Sequence, residues 1–208
     1  LAVAEDGSAV VPLLGGLGGV NLLAREIGQG LGVAAAITTS GELRFGTCLL
    51  NPPAGYELAD LELGKRFVSD LLAGESVRIE GAAPWLDQAQ LLEDPQAQRS
   101  IHIGSAERVA TANELLIYPR SVAVIVASAG EDLPQRIALA LQAAKVALPA
   151  LACLVAPEER MACPALREAA LALAVPLRFV ASASDVDTLA RNAVPEARLI
   201  ATAHELVI

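Results

Sequence analysis

The chain has 208 residues, a length suited to one or two domains, and 54% of them are apolar but only 3% aromatic, so the core must be built from Ala, Leu, Val and Ile. A formal charge of −9 at pH 7 leaves no basic footprint for nucleic acid and makes the surface a poor binder of anionic membranes. A polycarboxylate ligand would have to be met by local cations or backbone donors, because the overall field repels it.

In chain order, the apolar run at Val10-Val11 leads into a loop with four glycines in five positions, Gly15, Gly16, Gly18 and Gly19. Asn21 then opens a stretch with apolar residues at 22, 23, 27 and 31, which predicts a helix over 21–31 stopped by Gly30 and Gly32. Strand, glycine loop and helix together aim backbone N–H groups at an anion, although the same pattern also fits a tight turn with no ligand. The loop has Asn21 where the dinucleotide fingerprint wants its last glycine, and no Gly-Lys-Ser/Thr follows it. Neither a nucleotide held in the usual way nor ATP is therefore expected.

Residues 33–39 read as a strand, 44–50 as a second apolar segment, and Asn51-Pro52-Pro53-Ala54-Gly55-Tyr56 as a break. A helical period returns over 57–73, with a strand at 76–80 and a connecting segment with one short helix over 81–100. Beyond residue 120 the rhythm changes. Strands at 122–127, 150–156 and 177–180 alternate with helices at 133–146, 164–174 and 185–192, which implies parallel pairing through right-handed crossovers. The expected fold class is α/β, as two small lobes with mostly parallel sheets flanked by helices, and residues 120–193 should form one of them. Residues 201–208 stop in an apolar helix-or-strand pattern.

Few residues announce chemistry. Cys48, Cys153 and Cys163 stand far apart, and His102 and His204 are the only histidines, so no metal centre is expected. His102, between Ile101 and Ile103, reads as a hydrogen-bonded strand residue. Thr38-Thr39-Ser40 sets three hydroxyls at a strand's end, where they can meet a carboxylate or an oxyanion or simply cap the next element. Glu131 follows the 122–127 strand, the position where α/β proteins place ligands. Tyr56 and Trp85 are isolated and read as packing residues. No apolar run approaches ~20 residues and no basic-then-apolar leader is present, so the cytoplasm is the expected location. The chain begins with Leu1 and its only Met is Met161, which suggests a fragment or a processed product.

The run Pro12-Leu13-Leu14-Gly15-Gly16, then Gly19-Val20-Asn21 and Leu23-Ala24-Arg25-Glu26-Ile27, with Ile37-Thr38-Thr39 further on, resembles the CbiG family of cobalt-precorrin-5A hydrolases. Residues about 121–180 are similar to the C-terminal region that CbiG shares with CobE, through Ser128-Ala129-Gly130-Glu131, Leu166-Arg167-Glu168 and Val175-Pro176-Leu177-Arg178-Phe179. The resemblance divides the chain into a partial CbiG N-terminal-type region (1–50), a middle region (51–118) and a CbiG C-terminal or CobE-like domain (119–208). It implies a role in cobalamin (vitamin B12) biosynthesis, with binding of a precorrin or cobalt-precorrin and opening of a ring-A lactone with release of acetaldehyde. The substrate-binding residues it implies are Gly15, Gly16, Gly18, Gly19, Asn21, Thr38, Thr39, Ser40, Ser128, Gly130 and Glu131.

The departures bear on catalysis. Leu17 stands where the family carries a His, Ser40-Gly41-Glu42 replaces Ala-Thr-Asp, and the Ala127–Glu131 turn lacks the family's basic residues. Glu42 is then the candidate catalytic base, provided it folds back to the glycine loop. The pattern is similar to a CbiG-like segment fused to a precorrin-3B C17-methyltransferase, so a tetrapyrrole methyltransferase domain or subunit is the implied partner. S-adenosylmethionine would belong to that partner, and no cofactor is expected in this chain. Two other readings stay open: a non-catalytic assembly module for the methyltransferase, and a generic α/β small-molecule binder.

Overall fold

The computed structural model describes residues 1–16, 19–128, 130–181, 186–193, 198–203 and 206–208. The fold is α/β, with mixed, mainly parallel sheets flanked by helices. The chain divides into two compact units: residues 1–103 with 110–117, and residues 104–109 with 118–208.

The first unit opens with two short strands, β1 (Ala2–Val3) and β2 (Val10–Val11), paired antiparallel. Helix α1 (Val20–Leu31) follows the glycine loop, as its periodicity predicts, and ends where Gly32 enters the left-handed region at φ 72°. Its buried face is not the apolar stripe, however. Asn21, Ala24 and Gly28 face inward, while Leu22, Leu23 and Leu31 are exposed. The close approach at Gly28 explains this choice, because a methyl group there would lie 2.6 Å from the Val33 carbonyl oxygen.

The strand expected over 33–39 is not formed. With β2 only two residues long, the segment makes a single parallel bridge, Val10 to Ala35, and the Ala36 N–H donates to the Val10 carbonyl at 2.8 Å. A short helix, α2 (Ser40–Phe45), follows where none was expected, and it buries Glu42 and Phe45.

The rest of this unit is a four-stranded sheet, order β3-β6-β5-β4, formed by β3 (Tyr56–Leu58), β4 (Val77–Glu80), β5 (Arg99–Ile103) and β6 (Glu114–Pro119), whose last two residues belong to the second unit. Strands β4, β5 and β6 run parallel. Helix α3 (Leu61–Leu72) starts on Asp60, whose carboxylate accepts from the Leu63 N–H at 2.8 Å, a side-chain cap of the expected kind. Its Phe67, Val68 and Leu71 pack with Val77, Ile101, Ile103, Leu115 and Ile117 of the sheet into one core. Gly81 carries the chain out of β4 at φ 100°, and a methyl group on it would sit 2.1 Å from the Ile103 carbonyl oxygen.

In the second unit the predicted alternation is present: β7 (Val122–Val126), α4 (Leu133–Ala143), β8 (Leu151–Pro157), α5 (Pro164–Ala172), β9 (Leu177–Val180) and α6 (Val186–Ala193). Strands β7, β8 and β9 are parallel, and β10 (Thr202–Ala203) and β11 (Leu206–Val207) complete the order β10-β11-β7-β8-β9. Strand β11 pairs antiparallel with β7. Continuous apolar runs such as Leu151–Ala156 suit strands covered on both faces. One face packs against Leu133, Ile137 and Leu141 of α4 and Leu166 and Ala169 of α5, and the other carries Ile125, Cys153, Val155 and Val207 with Leu189 of α6. The segment 104–109 joins this unit through the Glu107 N–H, which donates to the Lys145 carbonyl, and the Ala147 N–H, which donates to the Ser105 carbonyl, both at 2.9 Å.

Candidate functional site

Glycine loop, α1 and α2 converge in the first unit on a buried polar cluster. Asn21, in the first turn of α1 and 5% exposed, donates both amide hydrogens: to Thr39 Oγ1 at 2.8 Å and to Glu42 Oε2 at 2.7 Å. The other Glu42 oxygen pairs with Arg25, one helical turn beyond Asn21. Glu42 is buried (8% exposed), whereas the Arg25 side chain remains 49% exposed. Burying a carboxylate is costly unless it is both paired and hydrogen-bonded, and here each oxygen has a protein donor.

Gly16 fits this cluster by having no side chain. A methyl group there would fall 3.0 Å from both Asn21 Oδ1 and Thr39 Oγ1. Gly15 (φ 78°) accepts from the Val20 N–H at 3.2 Å, and Gly19 (φ 89°) caps α1, its carbonyl accepting from Leu23 at 3.0 Å. Thr39 caps α2 through its backbone and accepts from the Leu43 N–H at 3.0 Å, while Thr38 and Ser40 are exposed beside it. The structure therefore brings together Gly16, Asn21, Thr39 and Glu42, with Gly15 and Gly19 shaping the loop that leads into α1. Leu17 and Gly18 lie outside the described residues, as do Ala129 and His204.

Ser128, Gly130 and Glu131 follow β7 in the second unit, at the carboxyl end of a parallel strand, with Ser128 and Gly130 half-buried and Glu131 exposed. Sequence reasoning found no cation for this turn. Arg136 of α4 supplies one, its Nη1 lying 2.8 Å from where a methyl group on Gly130 would be. The signal was present in the sequence, six residues after Gly130, on a helix that carries it back to the turn.

Two residues of the first unit, Arg25 and Gln29, were also missed as site residues. With Val33, Ile37 and Leu43 they line an open groove along α1. They stand four apart on one helix and so point the same way.

Burial pushes the Cys48 thiol above its ordinary range, and the Glu42 charge adds to this, which disfavours the reactive thiolate. Burial likewise raises the Cys153 thiol. His102 sits in β5 with Nδ1 3.2 Å from Glu80 Oε2, and Arg78 Nε donates to Glu80 Oε1 at 2.7 Å. Trp85 meets Tyr56 edge-on at 5.8 Å between ring centroids. Among the described residues, no group of three His, Cys, Asp or Glu side chains could hold a metal ion, and no helix is long and apolar enough to cross a membrane.

The Glu80 carboxyl is held below its ordinary value, first by the Arg78 hydrogen bond and then by His102. A depressed carboxylate contributes stability above its unfolded-state pKa, and that contribution is lost as pH falls through the folded-state value. Arg78→Met should therefore flatten the acid limb of a plot of urea midpoint against pH. The effect should be small and salt-sensitive, since the Glu80 side chain is 35% exposed.

None of the curated proteins matches the chain. Among solved structures, the chain is similar to a cobalamin biosynthesis protein G homolog from Sulfolobus solfataricus, at 16% identity and a TM-score of 0.33, over 99% of this chain and 70% of that one. Residues 1–42 match the family model described as cobalamin synthesis G N-terminal, so this stretch of the chain is CbiG-like, and the match ends on Glu42 itself.

Proposed function

We propose that the chain binds a precorrin intermediate of cobalamin biosynthesis and does not, by itself, hydrolyse it efficiently. The observation that carries this reading is the family match over residues 1–42, the stretch in which the glycine loop, Asn21, Thr39 and Glu42 are joined. Backbone N–H groups of the loop and the hydroxyls of Thr38, Thr39 and Ser40 are the donors offered to the ligand's carboxylates or to a developing oxyanion. Among the described residues of this cluster, none is free to transfer a proton. The Leu17 side chain has no ionisable group, and both Glu42 oxygens are already occupied by Asn21 and Arg25.

General acid–base assistance is worth ~10²–10⁴-fold, so its loss leaves a rate hard to see above background. On this reading the chain works in the cytoplasm beside a tetrapyrrole methyltransferase, which consumes or supplies the bound intermediate. The test is a titration with cobalt-precorrin-5A and with precorrin-3B, following the chromophore while assaying acetaldehyde. Saturable binding with little acetaldehyde is the expected result. Failure to bind any precorrin would overturn the corrin reading, and rapid acetaldehyde release would overturn the claim of weak hydrolysis.

A further inference from the structure

We infer that the groove along α1 receives a carboxylate arm of an amphipathic organic anion, with Arg25 as the binding residue and Glu42 as the residue that positions it. For the identity of the natural ligand this rests on the corrin reading; the contact itself does not. Arg25 spends one edge of its guanidinium on Glu42 and has no other protein partner among the described residues. Its side chain, half exposed, lines a groove together with Gln29, the 33–37 segment and Leu43.

A guanidinium with one edge pinned and the other open matches the planar fork of a carboxylate. The pinning matters because a free surface arginine loses rotamer entropy on gripping a ligand, whereas one already fixed loses less. Glu42 can act as the pin because it is itself fixed, buried and held by Asn21 at 2.7 Å. The Gln29 amide adds a neutral donor four residues along α1, and Val33, Ile37 and the 65%-exposed Leu43 offer an apolar wall.

The experiment uses the whole chain with 1-naphthoate as probe and the neutral 1-naphthamide as control, read by NMR on the Arg Nε–H and methyl signals. Naphthoate should shift the Arg25 Nε–H together with the Ile37 and Leu43 methyls, and naphthamide should bind at least about tenfold more weakly. Arg25→Met should cost about tenfold in naphthoate affinity, and Arg25→Lys should recover only part of it, because an ammonium lacks the fork. Glu42→Gln should weaken binding less than Arg25→Met while broadening the Arg25 Nε–H signal of the free protein, which marks a positioning role. Equal affinity for naphthamide, an unaffected Arg25→Met, or shifts confined to another surface would each overturn the inference. Arg25-dependent naphthoate binding by a chain that ignores both precorrins would leave the groove standing and remove the corrin reading.

Discussion

Gly81→Val is expected to destabilise the first unit by at least about 3 kcal/mol, enough to leave much of the variant unfolded at 37 °C. Two penalties act at once. The residue sits at φ 100°, where a β-branched side chain is strained, and its Cβ would overlap the Ile103 carbonyl oxygen at 2.1 Å. The obstacle is backbone at the end of β5 and cannot rotate away as a side chain would. Urea denaturation checks this, with Gly30→Ala as the contrast. Gly30 lies inside α1 with nothing within 4 Å of an added methyl group, so that change should stabilise by about 0.5–1 kcal/mol. A Gly81→Val variant as stable as the parent would mean that β4 and β5 do not approach as described.

Asn21→Asp changes one group and almost no volume, yet it should cost about 2–4 kcal/mol at pH 7. The amide that donates to Glu42 Oε2 at 2.7 Å becomes a second carboxylate facing the first, with both side chains buried. Two carboxylates sharing a dry site raise the folded-state pKa of the pair, so the penalty is absent below the unfolded carboxylate range near pH 4. It then grows as pH rises toward the raised folded value. Urea midpoints measured from pH 4 to pH 8 should therefore diverge between variant and parent, with the variant recovering at the acid end. A pH-independent loss would show that the Asn21–Glu42 contact is not the source. Arg25 shares the added charge, which caps the effect.

Legibility in the sequence followed the range of the interactions. The alternation from β7 to β9 was readable because each strand is a run of apolar residues and each intervening helix keeps its own period. Helix α3 was readable for the same reason. The strand expected at 33–39 failed because strand formation depends on a partner, and β2 offers only two residues to pair with. Strand β6, Glu114–Pro119, went unnoticed because its apolar run is short and ends in proline, and α2 because six residues containing a glycine carry little helical signal.

At the site, the glycine loop, Asn21 and Thr39 stood out locally. The Glu42 contact spans 21 residues, and the condition that it fold back to the loop region is met through Asn21. What no local pattern reveals is that both its oxygens are occupied, or that Arg25 thereby becomes the exposed cation. The direction of α1 was misleading as well: three leucines at helical spacing suggest the inward face, while Asn21, Ala24 and Gly28 form it.

The exchange of segments between the two units has a consequence for the order in which the protein can be made. Residues 104–109 leave the ribosome before Lys145 and Ala147, whose backbone they bond, and must wait for about 40 further residues, roughly two to eight seconds of synthesis. Over the same interval the next segment, 110–117, delivers β6 into the gap between β3 and β5, so the first sheet stays split until that strand has emerged. Cutting the gene after residue 103 would leave that gap permanently open, and cutting it after residue 117 would strip the second unit of its 104–109 strap. No single cut yields two complete units, and the nascent chain begins the second unit with 104–109 before 110–117 has completed the first.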